Sequence, residues 1–530
     1  MKKWRVVAIL ALAQFIMVLD STVMNVSMSE VVQSLGTTIS GLQAAITFYT
    51  LTMAAFMLTG GKLGDKFGRL KVFKIGAVIY GVGSLITAFS PNLASLLVGW
   101  SLIEGLGAVL VIPAIAALIA GNYKGKDRVV GFAIIGGISG AAAAAGPLIG
   151  GFMTTYLSWR YVFFAETVIM LAVLFLAHYI SDTKRDKQVP KIDVPSVVMS
   201  ASGMAIFVFG MLQSKTWGWV EPMAKPTING QAIAPLGISI VAYLLLAGVV
   251  ILYTFYRRQQ KLADTGKNPL LQVSMFSIKP LRAGLAVLGS QYLITAATFF
   301  VIPVYLQMVL GLDALKTGIK ILPLSVALIL FSVLGARLIT RYSPRQVIRM
   351  GQVLLAAGAL ILVGAINPEL KGPLFGLGMF MLGGGLGLLA SQIGNITMSS
   401  VSDKQSSEVG GLQGTAQNLG SSLGTALIGS VLIASLTSGF VAKVNSNNQI
   451  PTNVQSAVQA KSVTGVPIIP VSDVSAAASE AGLNESEVAS ITKDYESAQV
   501  EGLRQAMFFI FVLGLVSIAL SKNIPNKKLV

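Results

Sequence analysis

Four ionisable residues stand in stretches of this chain that are otherwise apolar, small or hydroxylated: Asp20, Glu104, Glu166 and His178. Glu104 lies in the run LLVGWSLIEGLGAVLV, well away from either end of the apolar stretch 93–121. A carboxylate at the centre of an apolar helix in a bilayer costs about 2.5–3.5 kcal/mol on insertion scales. Packing alone would favour Gln or Leu there. Two kinds of chemistry suit a buried acid: binding and releasing a proton, or recognising a cation. Hydrogen bonding between helices is the structural alternative. His178 stands at the inner end of its run, within reach of water, and is expected to be interfacial. The chain has no cysteine and one histidine, which excludes thiolate and histidine-rich metal sites. No nucleophile–base pair and no metal cluster is evident, so an enzyme is not expected.

The acids must be positioned by membrane helices. Of the 530 residues, 54% are hydrophobic and 12% charged, against about 25% charged in soluble proteins. Apolar runs of about 20 residues recur from end to end, each long enough to cross a hydrocarbon core of roughly 30 Å. Fourteen spans are expected. They lie at about 5–27, 42–62, 72–90, 93–121, 128–154, 160–181, 195–213, 235–256, 282–310, 316–340, 346–366, 372–400, 407–435 and 505–522. The basic head and long apolar body of the N-terminus suggest an uncleaved first helix, not a signal peptide. Most of the 39 Lys and Arg fall in alternate loops, such as KLGDKFGRLK and RLITRYSPRQVIR. That is the positive-inside pattern and it places both termini in the cytoplasm. The net charge of +17 therefore reports topology, and nucleic-acid binding is not expected. The long outer loop, residues 436–504, contains a capping signal, Asn484 with Glu487, ahead of Val488, Ile491 and Tyr495 at helical spacing. A short amphipathic helix or a helical hairpin over the outer mouth, and a solvated, poorly ordered loop, are both open there.

The chain repeats itself weakly. GGKLGDKFGRLKVFKIG (60–76) aligns with GARLITRYSPRQVIRMG (335–351), pairing Gly60 with Gly335, Lys66 with Arg341 and Gly76 with Gly351. Two six-helix bundles are thus expected, 1–181 and 282–530, with 182–281 carrying two inserted spans.

At this point the chain resembles a family. GKLGDKFGR (61–69) is similar to the signature loop of the major facilitator superfamily, G-x-L-x-D-[RK]-x-G-R. VLDSTVMNV (18–26), AAGPLIGG (144–151), SWRYVFF (158–164) and VYLQMVLG (304–311) resemble the signatures of its fourteen-helix drug–proton antiporters. The resemblance implies an all-α fold of two rocking bundles around a midplane cavity. It implies that Asp65 faces the N-terminus of the thirteenth span, near Ser406, and latches the cytoplasmic side. Gly61, Gly64, Gly68 and Arg69 complete that gating loop. Gly146, Pro147, Gly150 and Gly151 form the exporter signature, where small residues also allow close helix packing. One departure matters. Many relatives carry R-x-x-Q-G in the fourth span, whereas this chain has Ser101-Leu102-Ile103-Glu104-Gly105. The arginine is absent and the glutamine has become an acid.

The expectation is a proton-coupled antiporter in the cell membrane, exporting lipophilic, cationic, drug-like compounds. Asp20, Glu104 and Glu166 would serve in proton coupling or cation recognition. Asn25, Gln291, Gln307, Gln413 and Gln417 are the cavity candidates; amide bonding between helices is their alternative. The partners expected are a small molecule, protons and the lipid bilayer, with the protein a monomer. No cofactor or metal is expected, and no nucleotide, since G-x-x-x-x-G-K-[ST] is absent. Export of a metabolite, peptide or lipid is one alternative; a non-transporting sensor with a transporter fold is another. Topology is directly testable. Cysteines placed at Ser446 and Ser486 in this cysteine-free chain should react with an impermeant thiol reagent in intact cells, and reaction only after permeabilisation would show that the span count is wrong.

Overall fold

A computed structural model describes the chain except residues 1, 38, 183–191, 224, 229–230, 371, 403–404, 463–464 and 527–530. Among the described residues, fourteen helices are long and apolar enough to cross a membrane. They are α1 (Arg5–Val26), α2 (Ile39–Phe67), α3 (Arg69–Ala88), α4 (Leu93–Asn122), α5 (Gly125–Tyr156), α6 (Arg160–Leu176) and α7 (Val194–Trp217). Then follow α8 (Ile240–Asp264), α9 (Lys279–Val309), α10 (Ala314–Leu338), α11 (Pro344–Ala365), α12 (Leu374–Ser399), α13 (Ser406–Ser446) and α14 (Glu485–Leu520). A small antiparallel ladder lies between α7 and α8, pairing Thr227 with Ala232 and Ile228 with Gln231.

Local signals in the sequence start several of these helices. Asn92 caps α4 through the Ser95 amide at 3.0 Å, and Ser343 and Asp313 cap α11 and α10 in the same way. Gly68 separates α2 from α3 with φ +100°, a conformation that side chains with a Cβ rarely adopt. At Asp193, the cap of α7, the Arg258 guanidinium makes two bonds of 2.7 and 2.9 Å and holds the carboxyl well below its ordinary range. That fork ties α8 back to the start of α7.

The first six helices share one large apolar core, centred on residues such as Leu10, Phe73, Leu118 and Val173. The last six share another, including Val301, Leu328, Leu355 and Ile510. The halves meet along two seams. At one, α5 lies on α10, where an added Cβ on Gly140 or Gly318 would strike Leu328 or the Pro147 carbonyl. At the other, α2 and α4 lie on α13, with Gly414 against Met57 and Gly410 against Pro113. The helix α7 packs over this second seam, touching both α2 and α13 through Val208, Met211 and Ala426.

Two sequence expectations need correction. The helix α14 begins at Glu485, about five turns before the expected 505, and α13 continues to Ser446. The Asn484–Glu487 capping box forms as expected, with both bonds at 2.9 Å, but it starts α14 itself and not a separate short helix. At roughly 1.5 Å per residue the 41-residue α13 is about 60 Å long, twice the hydrocarbon thickness. Between α13 and α14 lie two short helices, Thr452–Lys461 and Val471–Glu480, sealed by a core of Phe440, Ile450, Ile491 and Tyr495.

On the face that carries both chain ends, a buried ion pair joins the halves. Lys62 Nζ lies 2.9 Å from Glu408 Oε1, and each residue is 7% exposed. Glu408 stands in the first turn of α13, where the helix dipole favours negative charge, and it also accepts the Gln272 amide at 3.1 Å. The α13 start at Ser406 agrees with the expectation, and Lys62 of the signature loop bridges to its first turn. Asp65 pairs with Arg69 at 3.6 Å within its own half. Removing one partner of a buried pair costs about 3–5 kcal/mol. Lys62→Met should therefore open this face. Spin labels at Lys71 and Arg341 should report a longer distance in the mutant than in the parent, whereas identical distance distributions would show that the pair does not hold the halves together.

Candidate functional site

The three acids singled out from the sequence converge. Asp20 comes from α1, Glu104 from α4 and Glu166 from α6, and each offers an oxygen within 4.8 Å of the others. Asp20 and Glu104 are 0% exposed and Glu166 1%. Trp100 Nε1 donates to Asp20 Oδ1 at 2.8 Å, and Ser84 Oγ donates to Glu166 Oε2 at 2.9 Å. Tyr80 Oη lies 3.4 Å from the same Glu166 oxygen. Tyr49, on α2, stacks face to face on Trp100 with ring centroids 4.8 Å apart. Among the described residues, no Lys, Arg or His hydrogen-bonds to the three acids.

Helix packing creates this meeting. A Cβ added to Gly83 would lie 2.5 Å from the Glu104 amide nitrogen, and one on Gly107 would lie 2.5 Å from the Tyr80 nitrogen. The backbones of α3 and α4 therefore touch at the level of the acids. The stretch Leu97–Glu104 is π-helical, a wider turn that occurs often at functional sites. It sets the register in which Trp100 faces Asp20 while Glu104 faces Glu166. The exporter signature contributes from the other side: Gly146 and Gly150 of α5 let Thr22 and Val23 of α1 approach closely. Pro147 lies inside α5 and Gly151 is buried beside it.

The arrangement leaves polar atoms without partners. Both Glu104 oxygens, Asp20 Oδ2, Glu166 Oε1 and the Tyr49 hydroxyl are buried and make no hydrogen bond. Two ionised carboxylates 4.8 Å apart repel by about 3–4 kcal/mol at an effective dielectric of 20. Three such charges need compensation by protons or by another cation. Oxygen donors of this kind suit hard cations, and they suit protons equally.

A separate cavity of about 150 Å³ lies between the halves. Gln291, Gln413 and Gln417 line it, as the sequence suggested. Gln307 does not; it stands in the π-helical end of α9 with its Nε2 buried and unbonded. The Asn25 side chain lies outside the described residues. His178 is exposed, with Nδ1 2.7 Å from the Phe175 carbonyl, an interfacial placement. Asp20, Glu104 and Glu166 do not line the cavity. Sequence reasoning missed Gln14 and Tyr292, which do. Gln14 carried the signal already used for the second half: an amide in an apolar span.

The model of the Major Facilitator Superfamily matches residues 10–425. The chain belongs to that superfamily. It is a multi-pass membrane transporter, not an enzyme, and small molecules are what such proteins bind. The puromycin resistance protein pur8 of Streptomyces alboniger is 28% identical over 435 residues, 81% of each chain. The multidrug efflux pump LfrA of Mycolicibacterium smegmatis is 26% identical, covering 88% of this chain and 86% of its own. The tetracenomycin C resistance and export protein of Streptomyces glaucescens is 28% identical, covering 82% and 76%. Among solved structures, the human organic anion transporter MFSD10 has the same fold, with a TM-score of 0.60 at 13% identity over 98% of this chain and 99% of that one.

The close contact under Glu104 predicts a position-specific intolerance. Gly83→Ala should lower the melting temperature, because overpacking typically costs about 1–3 kcal/mol. Gly81→Ala is the control, since its Cβ would meet Met170 at an ordinary 3.7 Å. Equal melting of the two variants would contradict the backbone contact.

Proposed function

We propose that this transporter is a proton-coupled antiporter that exports lipophilic, drug-like compounds by alternating access. It would lie in the cell membrane as a monomer with both termini in the cytoplasm. The units 1–181 and 282–530 would move as bodies, and 182–281 would carry the two added helices. Resistance and efflux proteins among the relatives support the export direction. The observation that carries the coupling is the enclosed carboxylate cluster without a basic partner.

Two helices link this cluster to the cavity. Gln14 of α1 and Ile112 of α4 line the cavity, while Asp20 and Glu104 of the same helices meet in the cluster. Loading or unloading protons changes the repulsion between α1, α4 and α6. Of these helices α1 and α4 also form part of the cavity wall, so a change in their packing alters the cavity. Protons entering from outside would favour one arrangement and their release inside the other. The membrane potential adds roughly 2.3 kcal/mol per charge per 100 mV. The exporter signature would help by letting α5 bear closely on α1 beside Asp20. Lys62 and Glu408 would close the cytoplasmic side during the outward phase.

Glu104→Gln tests this reading. The substitution keeps the size of the side chain and mimics the neutral acid. In proteoliposomes with an imposed pH gradient, driven export of an uncharged compound such as tetracenomycin C should fall at least tenfold while protein abundance and melting stay near those of the parent. Wild-type coupling in this mutant would sink the proposal. Asp20→Asn should behave alike, because both acids serve one cluster.

A further inference from the structure

Charge is distributed unevenly between the cluster and the cavity. The polar side chains of the cavity wall are Gln14, Ser139, Gln291, Tyr292, Thr295, Gln413 and Gln417, with apolar side chains such as Val18, Phe132 and Leu288 between them. Among the described residues that line it, none is Asp, Glu, Lys, Arg or His. The acids that would attract a cation are sealed inside the first half, at most 1% exposed. A fixed charge placed in such a cavity loses its hydration and gains no counter-charge, which is strongly unfavourable. An uncharged molecule bears no such cost.

The wall also asks for a particular group. Gln291 Oε1 is buried and makes no hydrogen bond, although it lines the cavity. The Gln413 amide is already engaged, donating to the Thr397 hydroxyl. A buried acceptor without a donor is unfavourable, and a ligand that supplies the donor removes that cost.

We propose that the cavity takes an uncharged lipophilic molecule bearing a hydroxyl or N–H group, which donates to Gln291 Oε1, and that it selects against a fixed positive charge. This rests on the transporter reading and replaces the expectation of a cationic substrate drawn from Asp20. It does not depend on proton coupling.

A matched set of probes tests it: 2-naphthol, 2-methoxynaphthalene and 2-naphthyltrimethylammonium, which share one ring system. Binding to the full chain in nanodiscs, without a gradient, is measured by equilibrium dialysis against empty nanodiscs. Naphthol should bind at least tenfold more tightly than the ammonium compound. Gln291→Leu should weaken naphthol about tenfold and leave the methyl ether unchanged. Gln291→Glu, which keeps an acceptor and adds a negative charge, should raise the affinity of the ammonium compound. Parent protein that prefers the ammonium compound, equal losses for naphthol and its ether in Gln291→Leu, or no binding of any probe would each overturn the proposal. Glu104→Gln, measured alongside, separates the two readings. If it retains the neutral preference and still exports on a pH gradient, the coupling scheme fails while this inference stands.

Discussion

Repulsion among three carboxylates buried within one bundle is the constraint around which the first half is built. Asp20, Glu104 and Glu166 share a site that offers each of them little hydrogen bonding and no ionic partner among the described residues. Apolar packing from five helices surrounds the site, and those helices could pack as well around neutral side chains. The acids are thus held at a cost to folding, which is the usual mark of a site retained for function. The glycines that bring the backbones of α3 and α4 into contact place Glu104 within range of its neighbours, and Trp100 orients Asp20 toward them.

The second half has no matching cluster of acids among its described residues and carries amides and hydroxyls. Its contribution to the centre is a wall without charge, with hydrogen-bonding groups from α9 and α13 and apolar residues from α10 and α12. The two halves are alike in fold and unlike in chemistry. One half is organised around ionisable groups shielded from the centre, the other around neutral groups facing it. The helices α1 and α4 belong to both regions, so the packing at the acids and the shape of the cavity wall are tied together.

Much of this was legible in the residues. Spans could be counted because an apolar run of bilayer length admits few other structures, and alternate basic loops marked the faces. The three acids stood out because each is expensive where it lies. Their convergence was not legible, since it depends on how α1, α4 and α6 pack and on glycine contacts that no periodicity reveals. The length of α14 was missed for a different reason. Its first turns, around Glu485 and Lys493, are polar enough to resemble a loop, and only the fold shows that the helix continues through the boundary. Lys62 and Glu408 were hidden by familiarity: the first passes for one more positive-inside charge, and the second lies more than 340 residues away in sequence.

The packing of α7 has a consequence for direction within the membrane plane. A two-bundle transporter of twelve helices presents two comparable clefts to the surrounding lipid. In this chain α7 screens the cleft where α2 meets α13, and α8 lies outside α7. Among the described residues, no helix covers the cleft between α5 and α10 in this way. A molecule dissolved in the bilayer therefore meets two different walls, one shielded by a helical pair and one bare. The added helices make the protein lopsided sideways as well as across the membrane.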